Sequence, residues 1–206
     1  MYTRRYRYGA PGYADLATLP VDAFRRELTA DALHTFGIDD PELTDALVQA
    51  YADAEEQALE AFPDTDETLQ RLRPHFRMGL ITNGPSAMQR AKLAALALEG
   101  YFDAIVVDTE FGHPKPDARI FEHAADAIGL GSHELIFVGN SLAHDIEGAR
   151  AAGWTSVWIN PSGELLCPGD PVPDHTISCL AELINLPRVA DALARAQEPS
   201  RSSPPR

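Results

Sequence analysis

Four short apolar runs set the grammar of this chain: MGLI at 78–81, AIVV at 104–107, LIFV at 135–138 and SVWI at 156–159. Between them lie SAMQRAKLAALAL, DARIFEHAADAIGL and AHDIEGARAAG, whose apolar residues recur at helical spacing. A strand with one wet face would alternate polar and apolar residues. Near-continuous runs instead mark strands covered on both sides. Strand, helix, strand at this spacing requires right-handed crossovers, and so a parallel sheet with helices on both faces. A weaker strand, HTI at 175–177, comes next. A helical pattern from about Ala181 to Ala194, interrupted at Pro187, closes the region. The fold class is α/β.

The first third reads differently. Phe24, Leu28, Ala32 and Phe36 recur every four residues and share one helical face, and Gly37 offers a stop. Asp40 followed by Pro41 is an N-cap with proline at the first helical position. Behind it Leu43, Leu47, Tyr51, Ala54 and Ala58 form a second stripe. Residues 1–62 are expected to be a small helical unit, with FPDTD at 62–66 as the hinge. Residues 63–195 form the α/β body, and the Pro/Ser-rich segment 196–206 is expected to be a disordered tail.

Composition narrows the partners. A formal charge of −14 over 206 residues argues against a nucleic acid or an anionic membrane as the main partner. The opening MYTRRYRYGA interleaves Arg4, Arg5 and Arg7 with tyrosines, as nucleic-acid binders can, but it is short and sits on an acidic body. It lacks the apolar stretch of a secretory signal, and no run approaches the roughly 20 residues that cross a bilayer. Cys167 and Cys179 have neither metal-ligand spacing nor disulfide density. A cytoplasmic protein is expected.

The strand ends carry the chemistry. In an open parallel sheet, ligands bind beyond the carboxyl ends of the strands. GLITNGP delivers Thr82 and Asn83, with Gly84 for a tight turn and Pro85 opening a helix. A hydroxyl, an amide and free backbone N–H groups there suit a phosphate. AIVVDTEFGHPKPD delivers Lys115, held between Pro114 and Pro116, an ammonium placed to neutralise an anion. LIFVGNSLAHD delivers Asn140, Ser141 and Asp145, oxygen donors of the kind Mg²⁺ prefers. Any one of these is also ordinary turn chemistry. Hydroxyl, lysine and acid at successive strand ends make a site. His113 and His144 read as loop and helix-surface residues, His75 as structural, and Trp154 and Trp158 as packing.

With those motifs in order, the stretch from about residue 20 to 185 resembles the haloacid dehalogenase (HAD) superfamily, most closely its phosphatase branch with a helical cap. The resemblance implies a Rossmann-like parallel core and makes residues 1–62 the later part of the cap. It also implies a Mg²⁺-dependent phosphomonoester hydrolase acting on a small phosphorylated metabolite. In the family pattern a first motif, apolar residues then Asp-x-Asp, supplies a nucleophilic aspartate and an acid/base aspartate, and the reaction passes through an aspartyl-phosphate. By the same resemblance Thr82 binds phosphoryl oxygens with Asn83 and Gly84, Lys115 holds nucleophile and phosphate by charge, and Asn140 and Asp145 are the metal ligands.

Two departures qualify this. No apolar run ending in Asp-x-Asp precedes residue 78, so the nucleophile, the acid/base and their strand are expected to be missing. The family places that strand centrally, between GLIT and LIFV. Five doubly buried apolar residues, at roughly 1.5–3 kcal/mol each, would forfeit about 10 kcal/mol, against a domain stability of about 5–15 kcal/mol. The sequence thus reads as a shortened, inactive version of a family hydrolase, from a misplaced start or a truncated gene. The second departure is Asn140, where the phosphatase pattern has aspartate. An uncharged ligand weakens Mg²⁺ affinity, so binding by this chain is expected to be weak or absent. The alternatives are a 2-haloacid dehalogenase, whose Ser-Ser-Asn fourth motif GNSLAHD does not match, and a non-catalytic relative that keeps the cradle for binding.

Overall fold

The structure is a computed structural model and describes Leu16 and residues 19–197. The Arg/Tyr-rich opening and the tail beyond residue 197 lie outside the described residues. The two apolar stripes become helices α1 (Val21–His34) and α2 (Pro41–Ala58), followed by α3 (Thr65–Leu72). Asp40 caps α2 as its sequence signal implies: the carboxylate accepts the N–H groups of Glu42 and Leu43, each at 3.0 Å. Gly37, at φ +74°, ends the turn after α1 in a conformation that side chains resist.

The body then runs β1 (Gly79–Thr82), α4 (Ser86–Ala95), β2 (Ala104–Val107), the helical turn α5 (Asp108–Phe111), α6 (Ala118–Ile128) and β3 (Ile136–Gly139). A wide turn at Leu142–Ile146, α7 (Glu147–Ala151), β4 (Thr155–Ile159), β5 (His175–Ile177) and α8 (Pro187–Gln197) complete it. All five runs read as strands are strands, within a residue of their sequence positions. The late helix breaks where Pro187 requires it: a 3₁₀ segment, Leu180–Asn185, precedes a new helix that starts on the proline.

The strand pairing is parallel throughout but falls into two blocks, β1–β2 and β3–β4–β5. The direction of the backbone groups shows which edges are free. Met78 C=O accepts the Asp103 N–H at 2.7 Å, so alternation turns the polar groups of Gly79 and Ile81 away from β2. Leu135 C=O accepts the Thr155 N–H at 3.1 Å, which turns those of Ile136 and Val138 away from β4. Neither free edge has a strand partner among the described residues.

Two apolar clusters cover the sheet faces. One joins Ile81 and Val106 to Ile120, Phe121, Phe137 and Trp154. There the rings of Phe121, Phe137 and Trp154 meet edge to face at 5.0–6.1 Å, a favourable quadrupole arrangement. The other joins Leu72, Val157, Ile177, Leu183, Val189 and Leu193. Helices α1 and α2 have a thinner core: Phe24 is buried against Leu28 and Met88 of α4. The second stripe read from the sequence stays exposed, with Leu43, Leu47 and Tyr51 each 38–60% accessible, and so does Phe36. A charge cluster ties this unit to the body, since Glu55 of α2 pairs with both Arg25 of α1 and Lys92 of α4.

Candidate functional site

The loop after β1 and the loop after β2 are tied to each other through their backbones. Asn83 Oδ1 accepts the Lys115 N–H at 2.9 Å, while its Nδ2 donates to the Lys115 C=O at 3.0 Å. In return, Asp108 Oδ1 accepts the Gly84 N–H at 2.7 Å and its neighbour's, Thr109 N–H, at 2.8 Å. The Thr109 hydroxyl donates to the Gly84 C=O at 3.0 Å. Gly84 sits at φ +137°, where a Cβ would be strained, and Pro85 then leads into α4. A fork from Arg90 to Glu110, both contacts 2.7 Å, with Ser86 on the same carboxylate, fastens α4 to α5. That pairing holds the Glu110 carboxyl below its usual range.

Lys115 reaches across the free edge of β1. Its Nζ donates to the Ile81 C=O at 3.0 Å and to Asp145 Oδ1 at 2.7 Å. The ammonium also lies 5.3 Å from the centre of the Phe137 ring, within cation–π reach. This pair is largely dry: the side chains are 12% and 7% accessible. Asp145 comes into place because the chain after β3 makes a wide turn, with both Asp145 and Ile146 N–H groups donating to Ser141 C=O. Its Oδ2 accepts the Ser141 N–H at 2.9 Å. Gly139 is glycine for a steric reason, since a Cβ there would overlap the Asp145 side chain.

The six site residues read from the sequence therefore fall at the carboxyl ends of β1, β2 and β3. Thr82 lies between two residues that both bond Lys115, and its hydroxyl donates to Gln89 Oε1 at 3.0 Å. Gly84's amide is not free: Asp108 holds it. Asn140 contributes its backbone C=O to the Trp158 indole N–H at 3.0 Å, and its side chain is exposed. His144 is exposed and meets Ser141 Oγ at 2.9 Å, away from Lys115's contacts. From the sequence, Asp108 is set aside as a nucleophile because it follows the third motif's strand, and neither it nor Thr109 is assigned to the site. The signal for Asp108 was present, an aspartate directly after a buried apolar run. Only 3% accessible, its carboxyl is pushed up by burial, with the Gly84 and Thr109 N–H groups and the Lys115 charge opposing. The Asp-Thr-Asp at 64–66 is structural: Asp64 accepts the Ala181 N–H, and Asp66 takes the Tyr101 hydroxyl and Gln70.

Between them the two expected Mg²⁺ ligands offer a single carboxylate, and it is already paired. Both oxygens of Asp145 are engaged, Asn140 is neutral and turned out, and no group of three His, Cys, Asp or Glu side chains converges among the described residues. Mg²⁺ asks for near-octahedral oxygen ligation, normally with one or two carboxylates to spare.

A profile of the haloacid dehalogenase-like hydrolases matches residues 12–159. The chain is 39% identical over 121 residues to the N-acylneuraminate-9-phosphatase of Mus musculus, covering 58% of this chain and 49% of that one. It is 32% identical over 180 residues to the phosphoserine phosphatase of Thermus thermophilus, covering 86% and 70%. Among solved structures, a 2-haloacid dehalogenase of Pseudomonas syringae superposes with a TM-score of 0.62 at 26% identity over 90% of this chain and 75% of that one. A hydrolase of Bacillus subtilis bound to magnesium, YfnB, superposes at 0.66 and 24% identity, over 84% and 75%. This chain belongs to the haloacid dehalogenase-like hydrolase family. It spans about half the length of the N-acylneuraminate-9-phosphatases it matches.

Proposed function

We propose that the chain carries the phosphoryl-gripping half of a phosphomonoester hydrolase that works through an aspartyl-phosphate on a small phosphorylated metabolite. The observation that carries this reading is the placement of Lys115. It is fixed by Asn83 at its backbone, and its ammonium bridges the tips of β1 and β3 beside Thr82. A phosphoryl group entering there would meet a hydroxyl and a dry ammonium, the electrostatics that phosphoryl transfer requires. Phosphatase relatives at 32–39% identity support phosphorus rather than carbon as the centre attacked.

The attacking carboxylate is not supplied by the groups described. Asp108 is bound to two amides, Asp145 to Lys115 and Ser141. The free edges of β1 and β3 are where a strand bearing it would pair. We therefore infer phosphate binding without turnover and Mg²⁺ affinity that is weak or absent, and the formal charge of −14 favours a small-molecule partner over nucleic acid or an anionic membrane. Residues 1–62 would be the cap and 63–195 the core.

Two assays test this. Inorganic phosphate should bind the chain by calorimetry, and Lys115→Ala should abolish that binding; no binding by the native chain ends the cradle reading. A panel of small phosphate esters with Mg²⁺ should yield no phosphate. Turnover approaching the ~10 s⁻¹ of an ordinary enzyme would show that a nucleophile is present after all.

A further inference from the structure

We propose that Asp108 is a positioning residue: through Gly84 and Asn83 it fixes the backbone of Lys115, so that the two loops of the site form one mechanical unit. The bonds run in both directions. Asp108 and Thr109, from the second loop, hold the N–H and C=O of Gly84 in the first. Asn83, from the first loop, holds the N–H and C=O of Lys115 in the second. Asn83 and Gly84 share a peptide bond, so anything that reorients Gly84 turns the Asn83 side chain with it.

A buried carboxylate beside a cradle for anions is otherwise out of place. It repels the ligand, and burying it carries a desolvation cost visible in its raised pKa. What it contributes is an acceptor strong enough to fix a glycine amide in a loop that has no ladder bonds of its own. Without it the Gly84 N–H is a buried donor with no partner, and the peptide must rotate to find one. Asn83 then loses its alignment on Lys115. The consequence for phosphate rests on the function proposed above; the coupling itself does not.

Amide hydrogen exchange on the full chain, read residue by residue, tests the coupling. In Asp108→Ala the amides of Gly84 and Lys115 should both exchange about tenfold faster, the change expected for losing one net hydrogen bond from each. Asp108→Asn keeps an acceptor oxygen and should restore most of the protection at both. The Val157 and Trp158 amides, in the paired part of the sheet, should not change and report that the body is folded. If they collapse, Thr109→Val, which cuts only the bond to the Gly84 C=O, decides in the same way, with a smaller acceleration expected at both positions. The proposal is overturned if Lys115 keeps its protection while Gly84 loses it, which would make Asp108 a local cap, or if the asparagine variant behaves like the alanine one. Phosphate affinity measured alongside should fall with Lys115 protection. Failure of the native chain to bind phosphate would count against the functional reading alone, the exchange pattern still deciding the coupling.

Discussion

β3 and β4 lie side by side in register, Ile136 opposite Thr155 through Gly139 opposite Trp158, yet they occupy different worlds. β4 has a strand on each side, and Ser156 and Val157 are wholly inaccessible. Among the described residues β3 has a strand on one side only, and Ile136 and Val138 stay half-buried despite an equally apolar sequence. Covering the two faces of a sheet is not enough to bury a strand. The third direction, along the hydrogen bonds, must be filled too, and a free row of amides and carbonyls is an open template for pairing. At the tip of that free edge the protein places a polar plug, Lys115 on Asp145, where β4 simply runs on.

The largest test of this contrast concerns the plug. Lys115→Ala should lower stability by about 3–5 kcal/mol in denaturant titration, because it leaves Asp145 buried without its partner; a loss under 1 kcal/mol would mean that the tip is wet. Next come paired truncations. Val157→Ala should cost about 2–3 kcal/mol and Val138→Ala about half as much, by the same assay, since only the first leaves a closed cavity. Equal losses would erase the distinction between the strands. Gly139→Ala forces a Cβ into Asp145 and should cost about 1–3 kcal/mol through overpacking, while lowering phosphate affinity.

A subtler test is in pH. Burial raises the folded-state pKa of Asp108, so its contribution favours folding while the group is protonated, and is lost as pH rises from 3.8 through the raised value. Asp108→Asn should therefore gain stability relative to the native chain across that rise and level off above it. Asp117 runs the other way: the Arg119 guanidinium, helped by the Arg119 N–H at the N-cap, holds its carboxyl at about 2, so its contribution is fully present above 3.8 and is lost as pH falls from there through about 2. The smallest effect is expected at Arg26–Asp45 on the helical unit. That pair is open to solvent, and Arg26→Ala should leave the melting curve unchanged.

The strands were legible because double burial leaves a continuous apolar run, and their ends because polar residues follow at once, as at Val107–Asp108 and Ile81–Thr82. The helix caps at Asp40 and the break at Pro187 were legible for the same reason: they are local chemistry. What could not be read was pairing at a distance. Nothing in the sequence says that Asn83 meets Lys115 or that Asp108 takes the Gly84 amide, because 32 and 24 residues separate the partners. The stripe Leu43, Leu47 and Tyr51 was read correctly as apolar, but periodicity records a face and not what lies against it.

Asn83–Gly84 is the dipeptide in which a backbone nitrogen most easily attacks the neighbouring carboxamide and converts asparagine to aspartate with age. Here that nitrogen's hydrogen is committed to Asp108, and both ends of the carboxamide are committed to Lys115. The bonds that shape the loop also keep the attacking atom from its target, so this site should outlast the exposed Asn-Gly steps of unfolded chains. Were the conversion to occur, a carboxylate would face the Lys115 carbonyl it now donates to, and a chemical clock would have unfastened the loop.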